Sequence, residues 1–85
     1  MKHDSINTPL HWHLKDGKFI RPFRFNDYAK TIEFVNKVAA IADEMDHHPN
    51  MLVGYNTVEC TIWSHSAGGV TPQCVEFCER VNAIA

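Results

Sequence analysis

The sequence predicts an α+β fold, a two-layer sandwich ordered β-β-α-β-β-α, with a four-stranded antiparallel sheet carrying both helices on one face. Extended apolar patterns come in pairs separated by turn signals, and each pair is followed by a stretch of helical periodicity. A strong helix-start signal, Thr71-Pro72, opens the last element.

In chain order, residues 1 to 8 are polar and aperiodic and read as a tail, leaving residues 9 to 85 as a single domain. Leu10-His11-Trp12-His13-Leu14 alternates like a strand and breaks at Asp16-Gly17, a hairpin turn signal. The second strand, residues 19 to 25, places Phe19, Phe23 and Phe25 on one face, and its Pro22 suits an edge or bulge. Asn26 is expected to cap a helix, with Asp27 in the first turn where the dipole favours negative charge. From Tyr28 to Met45 the side chains of Ile32, Val35, Val38, Ala39, Ala42 and Met45 recur every three or four positions. Phe34 and Ile41 widen that stripe, which suggests a second face turned toward another subunit. Pro49 disfavours helical geometry at His48, so the helix is expected to end near His47.

A second hairpin follows, residues 51 to 55 and 58 to 65, turning at Asn56-Thr57. Val58, Cys60, Ile62 and Ser64 would share one face, and Glu59, Thr61, Trp63 and His65 the other. His65 then stands at a strand end, where a side chain leaves the sheet for a cleft. Ala67-Gly68-Gly69 is a connector, and the final helix repeats Val75, Cys78, Val81 and Ile84.

The 85 residues are 45% hydrophobic, ample for a two-layer core and for a subunit interface, so self-association is expected. Net charge is −2, and the Lys and Arg residues are scattered, which argues against binding nucleic acid through its phosphates. The start lacks the apolar stretch of a signal peptide, and no run approaches a membrane span. A soluble, cytoplasmic protein is the expectation. Three cysteines are too few and too odd for a disulfide framework: Cys60 and Cys78 read as core residues, and Cys74 lies one helical turn before Cys78.

His47-His48, followed by Pro49 and answered by His65, is the most informative feature of the chain and would point to proton-transfer chemistry on a small molecule. Histidine gives and takes protons near neutrality. Three rings in one site could divide acid and base work, each group worth about 10² to 10⁴ in rate. A metal held by His47, His48, His65 and Cys74 is a second reading, although adjacent histidines diverge. In a third, the rings merely cap a helix and decorate a loop.

The segments Asp46-His47-His48-Pro49-Asn50, Tyr55-Asn56-Thr57-Val58 and Ser64-His65-Ser66-Ala67-Gly68-Gly69-Val70-Thr71 resemble the signature of the pterin-4a-carbinolamine dehydratases. In that pattern an acid stands four residues before His-His-Pro, an aromatic follows the proline by six or seven, and a further histidine comes ten after the aromatic. Here these are Asp43, His47-His48-Pro49, Tyr55 and His65. Phe23-Arg24-Phe25-Asn26-Asp27-Tyr28 resembles the family's aromatic entry into its long helix, and the likeness spans roughly residues 12 to 84.

The resemblance implies assembly into a homodimer or homotetramer, and loss of water from a 4a-hydroxytetrahydropterin to give a quinonoid dihydropterin, with no cofactor and no metal. It implies His47, His48 and His65 as catalytic residues, His47 and His65 exchanging protons with the pterin while His48 orients it. Asp43 could hydrogen-bond an imidazole, and Pro49, Asn50, Met51 and Ser66 could hold the pterin's amide edge. The chain departs from the pattern where the family places an aspartate nine or more residues after its third histidine. Cys74 stands at the earliest such position and no aspartate follows it, which bears on catalytic rate rather than fold. Many relatives also carry a helix before the first strand, for which residues 1 to 8 are too short. The alternatives are a pterin-binding relative with weak or no dehydratase activity, and a protein-interaction module resembling the members that bind a transcription factor's helix.

Overall fold

Two hairpins and two helices stack as one layer of sheet and one of helix in the computed structural model, which describes residues 6–85. The strands β1 (His13–Lys15) and β2 (Lys18–Arg24) are joined at Asp16-Gly17, both at positive φ (53° and 75°). Aspartate and glycine are among the residues that reach that region most cheaply. The strands β3 (Asn50–Val53) and β4 (Thr57–Ile62) make the second hairpin. β2 pairs antiparallel with β4, Phe19 opposite Ile62 and Phe23 opposite Val58, giving the order β1-β2-β4-β3.

Alternation along β2 and β4 turns Phe19, Phe23, Val58, Cys60 and Ile62 to one face, while Arg24 and Glu59 on the other stay exposed. Helices α1 (Tyr28–Met45) and α2 (Pro72–Ile84) cover the apolar face. Phe34, Val38 and Ala42 of α1 and Cys74, Phe77, Cys78 and Val81 of α2 join those strand residues and Trp12 in one core. The predicted α+β architecture is therefore the observed one. Cys60 and Cys78 are buried free thiols as expected; burial pushes Cys60 up to about 12 and raises Cys78 as well.

Several element boundaries differ from the sequence reading, each for a local reason. The first strand begins at His13 rather than Leu10, because His11 takes φ 72° and Trp12 N–H donates to Pro9 O at 3.1 Å. That turn sends Trp12 into the core, where its indole N–H is satisfied by Asn82 Oδ1 at 2.8 Å. The helix cap is Asp27, not Asn26: Asp27 is extended (φ −151°) and its Oδ1 accepts from Lys30 N at 2.8 Å. Asp27→Ala is expected to cost about 1 kcal/mol, measurable as a lower urea midpoint at unchanged slope.

The buried stripe of α1 is Thr31, Phe34, Val38 and Ala42, rotated from the predicted one so that Ala39 lies exposed. Thr31 accounts for the offset. Its hydroxyl is shared between Asp27 O (2.8 Å) and Tyr55 O (3.1 Å), so a polar residue occupies a core position without penalty. Phe34 consequently faces inward against Phe23 and Phe25, at ring distances of 4.5 and 5.0 Å, and is not available to a second subunit. In α2 the buried set is Cys74, Phe77, Cys78 and Val81, while Ile84 is exposed.

β3 stops at Val53, since Gly54 N–H donates to Thr57 O at 2.8 Å and residues 54–57 form the turn. A Cβ on Gly54 would come 2.7 Å from Thr57 Oγ1, so a side chain there would displace the threonine hydroxyl. Tyr55, read as strand, lies in that turn and stacks on Tyr28. β4 likewise ends at Ile62, three residues before His65. Of the segment read as tail, residues 1 to 5 lie outside the described residues, and Ile6 packs against the core. No described helix is long and apolar enough to cross a membrane.

Candidate active site

Two chain reversals bring the three histidines to one cleft. At the first, α1 closes through Asp46 in the left-handed region (φ 53°, ψ 45°). Asp46 N–H donates to Asp43 O and His47 N–H to Ala42 O, at 3.2 and 3.0 Å. This is the paired bonding of a Schellman closure, with aspartate in the place glycine usually takes. Pro49 keeps the helix from continuing, and the backbone turns His47 toward the start of α2.

At the second reversal, Ser64 and Gly69 bridge across a four-residue turn, Ser64 N–H donating to Gly69 O at 2.8 Å. Gly68 at φ 74° supplies the left-handed step. Ser64 Oγ accepts from Ala67 N–H, so the serine organises its own turn. His65 is the first residue inside the turn, and its ring lies 4.6 Å from that of Trp63. Lys18 Nζ sits 4.4 Å from the Trp63 ring, a cation held over the aromatic.

Between the reversals lies an open cleft of about 520 Å³, lined by His47, His48 and Asp46 on one side and Trp63, Ser64, His65 and Ser66 on the other. That volume suits a small ligand. Gln73 completes the lining, and its Nε2 donates to Met45 O at 3.1 Å, pinning the start of α2 to the end of α1. The contact between Arg80 and Glu44 ties the two helices further along.

The rings of the pair diverge. His48 Nε2 lies 3.0 Å from Asp43 Oδ1, so the carboxylate one turn before His47 serves its neighbour instead. The pair is exposed and orients the ring more than it stabilises the fold. His47 Nε2 lies 3.2 Å from Cys74 Sγ. Desolvation, then the proximity of His48, lowers the His47 pKa, while Asp46 raises it less. His47 is thus biased toward the neutral ring.

Three other candidates sit elsewhere than the sequence suggested. Pro49, Asn50 and Met51 line a neighbouring groove with Leu52, Glu59 and Thr61, not the histidine cleft. The cause is pairing: Asn50 and Met51 are already β3, opposite Thr61 and Cys60. Cys74 is fully buried beneath His47 and reaches the cleft only through that ring. Among the described residues no three His, Cys, Asp or Glu side chains converge so as to hold a metal ion. Gln73 and Asp46 were missed as lining residues. The signal was available for Gln73, which stands in the first turn after the Thr71 cap, at the helix end facing the cleft.

A family model described as Pterin 4 alpha carbinolamine dehydratase matches residues 1–84. The chain belongs to this dehydratase family. Relatives provisionally named for that activity include one from Sulfolobus acidocaldarius, 41% identical and covering 86% of this chain and 80% of its own. Another, from Rhodopseudomonas palustris, is 35% identical and covers 99% of this chain and 85% of its own. Among solved structures, a transcriptional coactivator/pterin dehydratase from Brucella melitensis superposes with a TM-score of 0.87 at 30% identity, covering 99% of this chain and 92% of that one. A pterin dehydratase-like protein identified as a RuBisCO assembly factor in the α-carboxysome gives 0.73 at 27% identity, with 91% and 89% covered. The dehydratase fold thus occurs in a protein whose described role is assembly.

Proposed function

We propose that the cleft dehydrates a 4a-hydroxytetrahydropterin to a quinonoid dihydropterin, returning a tetrahydropterin cofactor to use. The observation that carries this reading is the meeting of His47, His48 and His65 across one small-ligand cleft in a chain of this family. The substrate loses its 4a-hydroxyl and a ring N–H proton, together one water. One imidazole takes the nitrogen's proton, the departing oxygen takes a proton from that imidazolium or from solvent to leave as water, and the imidazole is thereby returned to its starting state. His65, in an exposed turn, is suited to moving the proton. His48, oriented by Asp43, contacts the pterin, and Ser66 offers a hydroxyl to its polar edge. The Trp63 ring beside His65 provides a flat wall for a bicyclic ligand.

The test supplies purified protein with freshly generated 4a-hydroxytetrahydropterin and follows quinonoid formation by absorbance. A rate above the uncatalysed background is expected; a rate equal to it ends the dehydratase reading. Assembly-factor activity in a relative of this fold makes protein binding without turnover the alternative, which pterin-free capture of one defined partner would favour.

A second copy of the chain is part of the same proposal. β3 is an edge strand among the described residues, with Leu52 72% exposed and Val53 40% exposed, apolar surface that a second copy could cover. Leu52→Lys is expected to shift the protein to a smaller species in sedimentation velocity. A wild-type protein that sediments as a monomer at every concentration contradicts this.

A further inference from the structure

We propose that Cys74 fixes His47 as a neutral Nδ1–H tautomer, so that His47 presents a hydrogen-bond donor to the cleft and the proton transfers fall to the other histidines. This deepens the dehydratase reading and rests on it for the identity of the group that receives the hydrogen bond.

The hydrogen bonds of the first turn of α2 set the role of the sulfur. Cys74 N–H donates to Thr71 Oγ1 at 3.4 Å, and Thr71 Oγ1–H donates to Cys74 Sγ at 3.5 Å. The sulfur therefore accepts a hydrogen bond from the threonine hydroxyl, and its own S–H is left to donate. His47 Nε2 lies 3.2 Å from it. Sγ is sealed from solvent within the core that also contains Cys60 and Cys78. As a thiol the sulfur has one S–H to donate. A thiol donating to Nε2 requires that nitrogen to be unprotonated, and a neutral imidazole then carries its proton on Nδ1. Nδ1 has no hydrogen-bond partner among the described residues, and His47 lines the cleft.

An aspartate at this position would act oppositely. A carboxylate accepts only, so it would draw the proton to Nε2, leave Nδ1 as a base and stabilise the imidazolium. Exchanging carboxylate for thiol thus reverses the polarity of His47 with little change of shape. In the dehydration, His65 would take the ring N–H proton, Nδ1–H would hydrogen-bond the departing 4a-oxygen without giving up its own proton, and that oxygen would leave as water with a proton from the protonated His65 or from solvent, which returns His65 to its starting state. The charged and titratable groups around His47 are His48 and Asp46 on its own segment, Cys74 on α2 and His65 across the cleft; Gln73 adds a neutral amide. Only Cys74 among them is hydrogen-bonded to the ring.

The test is nitrogen-15 NMR of the histidine rings at pH 7 in the full chain, on wild type, Cys74→Ser and Cys74→Asp. Wild type is expected to show His47 protonated at Nδ1 alone, and Cys74→Ser to keep that tautomer because a hydroxyl can also donate. Cys74→Asp is expected to move the proton to Nε2 and to raise the His47 pKa by about one pH unit or more. In that variant a His47 titration should enter the pH profile of kcat/KM that is absent from wild type. Wild-type His47 protonated at Nε2, or at both nitrogens as in a thiolate–imidazolium pair, overturns the proposal, as does a Cys74→Asp protein that keeps the Nδ1 proton. The expected tautomers without measurable dehydration would support the Cys74 assignment while the dehydratase reading failed.

Discussion

His65→Ala is expected to lower kcat/KM for 4a-hydroxytetrahydropterin by about 10² to 10⁴, while stability stays within about 0.5 kcal/mol of wild type. The separation of the two effects follows from where the residue sits. His65 is exposed in the turn between Ser64 and Gly69, whose closing bonds are backbone bonds and Ser64 Oγ to Ala67 N–H. Removing the imidazole leaves those bonds intact and forfeits only the packing on Trp63. The measurement pairs stopped-flow turnover with urea denaturation of the same preparation. Activity retained within a factor of about three at full stability would take His65 out of the proton transfer. His47→Ala would be harder to interpret, because it also leaves the buried Cys74 sulfur without its hydrogen-bond partner.

Phe77→Ala is expected to destabilise the domain by about 3 to 5 kcal/mol. Phe77 is fully buried on α2 and meets Trp12 edge-on at 6.5 Å, at the centre of the layer between helices and sheet. A chain of this size is stable by only about 4 to 13 kcal/mol. The substitution therefore removes a large fraction of the whole, and a strongly lowered melting temperature should accompany it. A loss below about 1 kcal/mol would mean that the core between α2 and the sheet relaxes around the missing ring.

Local chemistry made the architecture legible. Asp16-Gly17, Thr71-Pro72 and the alternation of β4 each specify a turn, a helix start and a buried face within a few residues, and each stands where it was read. Boundaries were less legible wherever a tertiary contact outweighed the local pattern. Trp12 is drawn out of the strand pattern by the core and by Asn82, seventy residues away. Thr31 enters the core of α1 because two carbonyls, one of them on the distant Tyr55 turn, satisfy its hydroxyl. Periodicity counts apolar residues and so misses a polar side chain whose partners lie elsewhere in the chain.

The candidate site divides in the same way. Sequence spacing drew attention to His47, His48 and His65, at the exits of a proline-stopped helix and of a strand, and they took their role from the resemblance to the dehydratase signature. It also singled out Cys74 as the departure from the family pattern. Only the tertiary structure decided which ring meets which partner. Asp43 turns to His48 because the Schellman closure rotates His47 away from the helix flank, and Cys74 lies beneath His47 because Gln73 pins the start of α2 against the end of α1. A sequence lists proton donors and acceptors; the fold sets their distances, and hydrogen bonds act only over about 3 Å. That short range is why the three histidines could be named from the chain, whereas the direction of the proton on His47 had to wait for the structure.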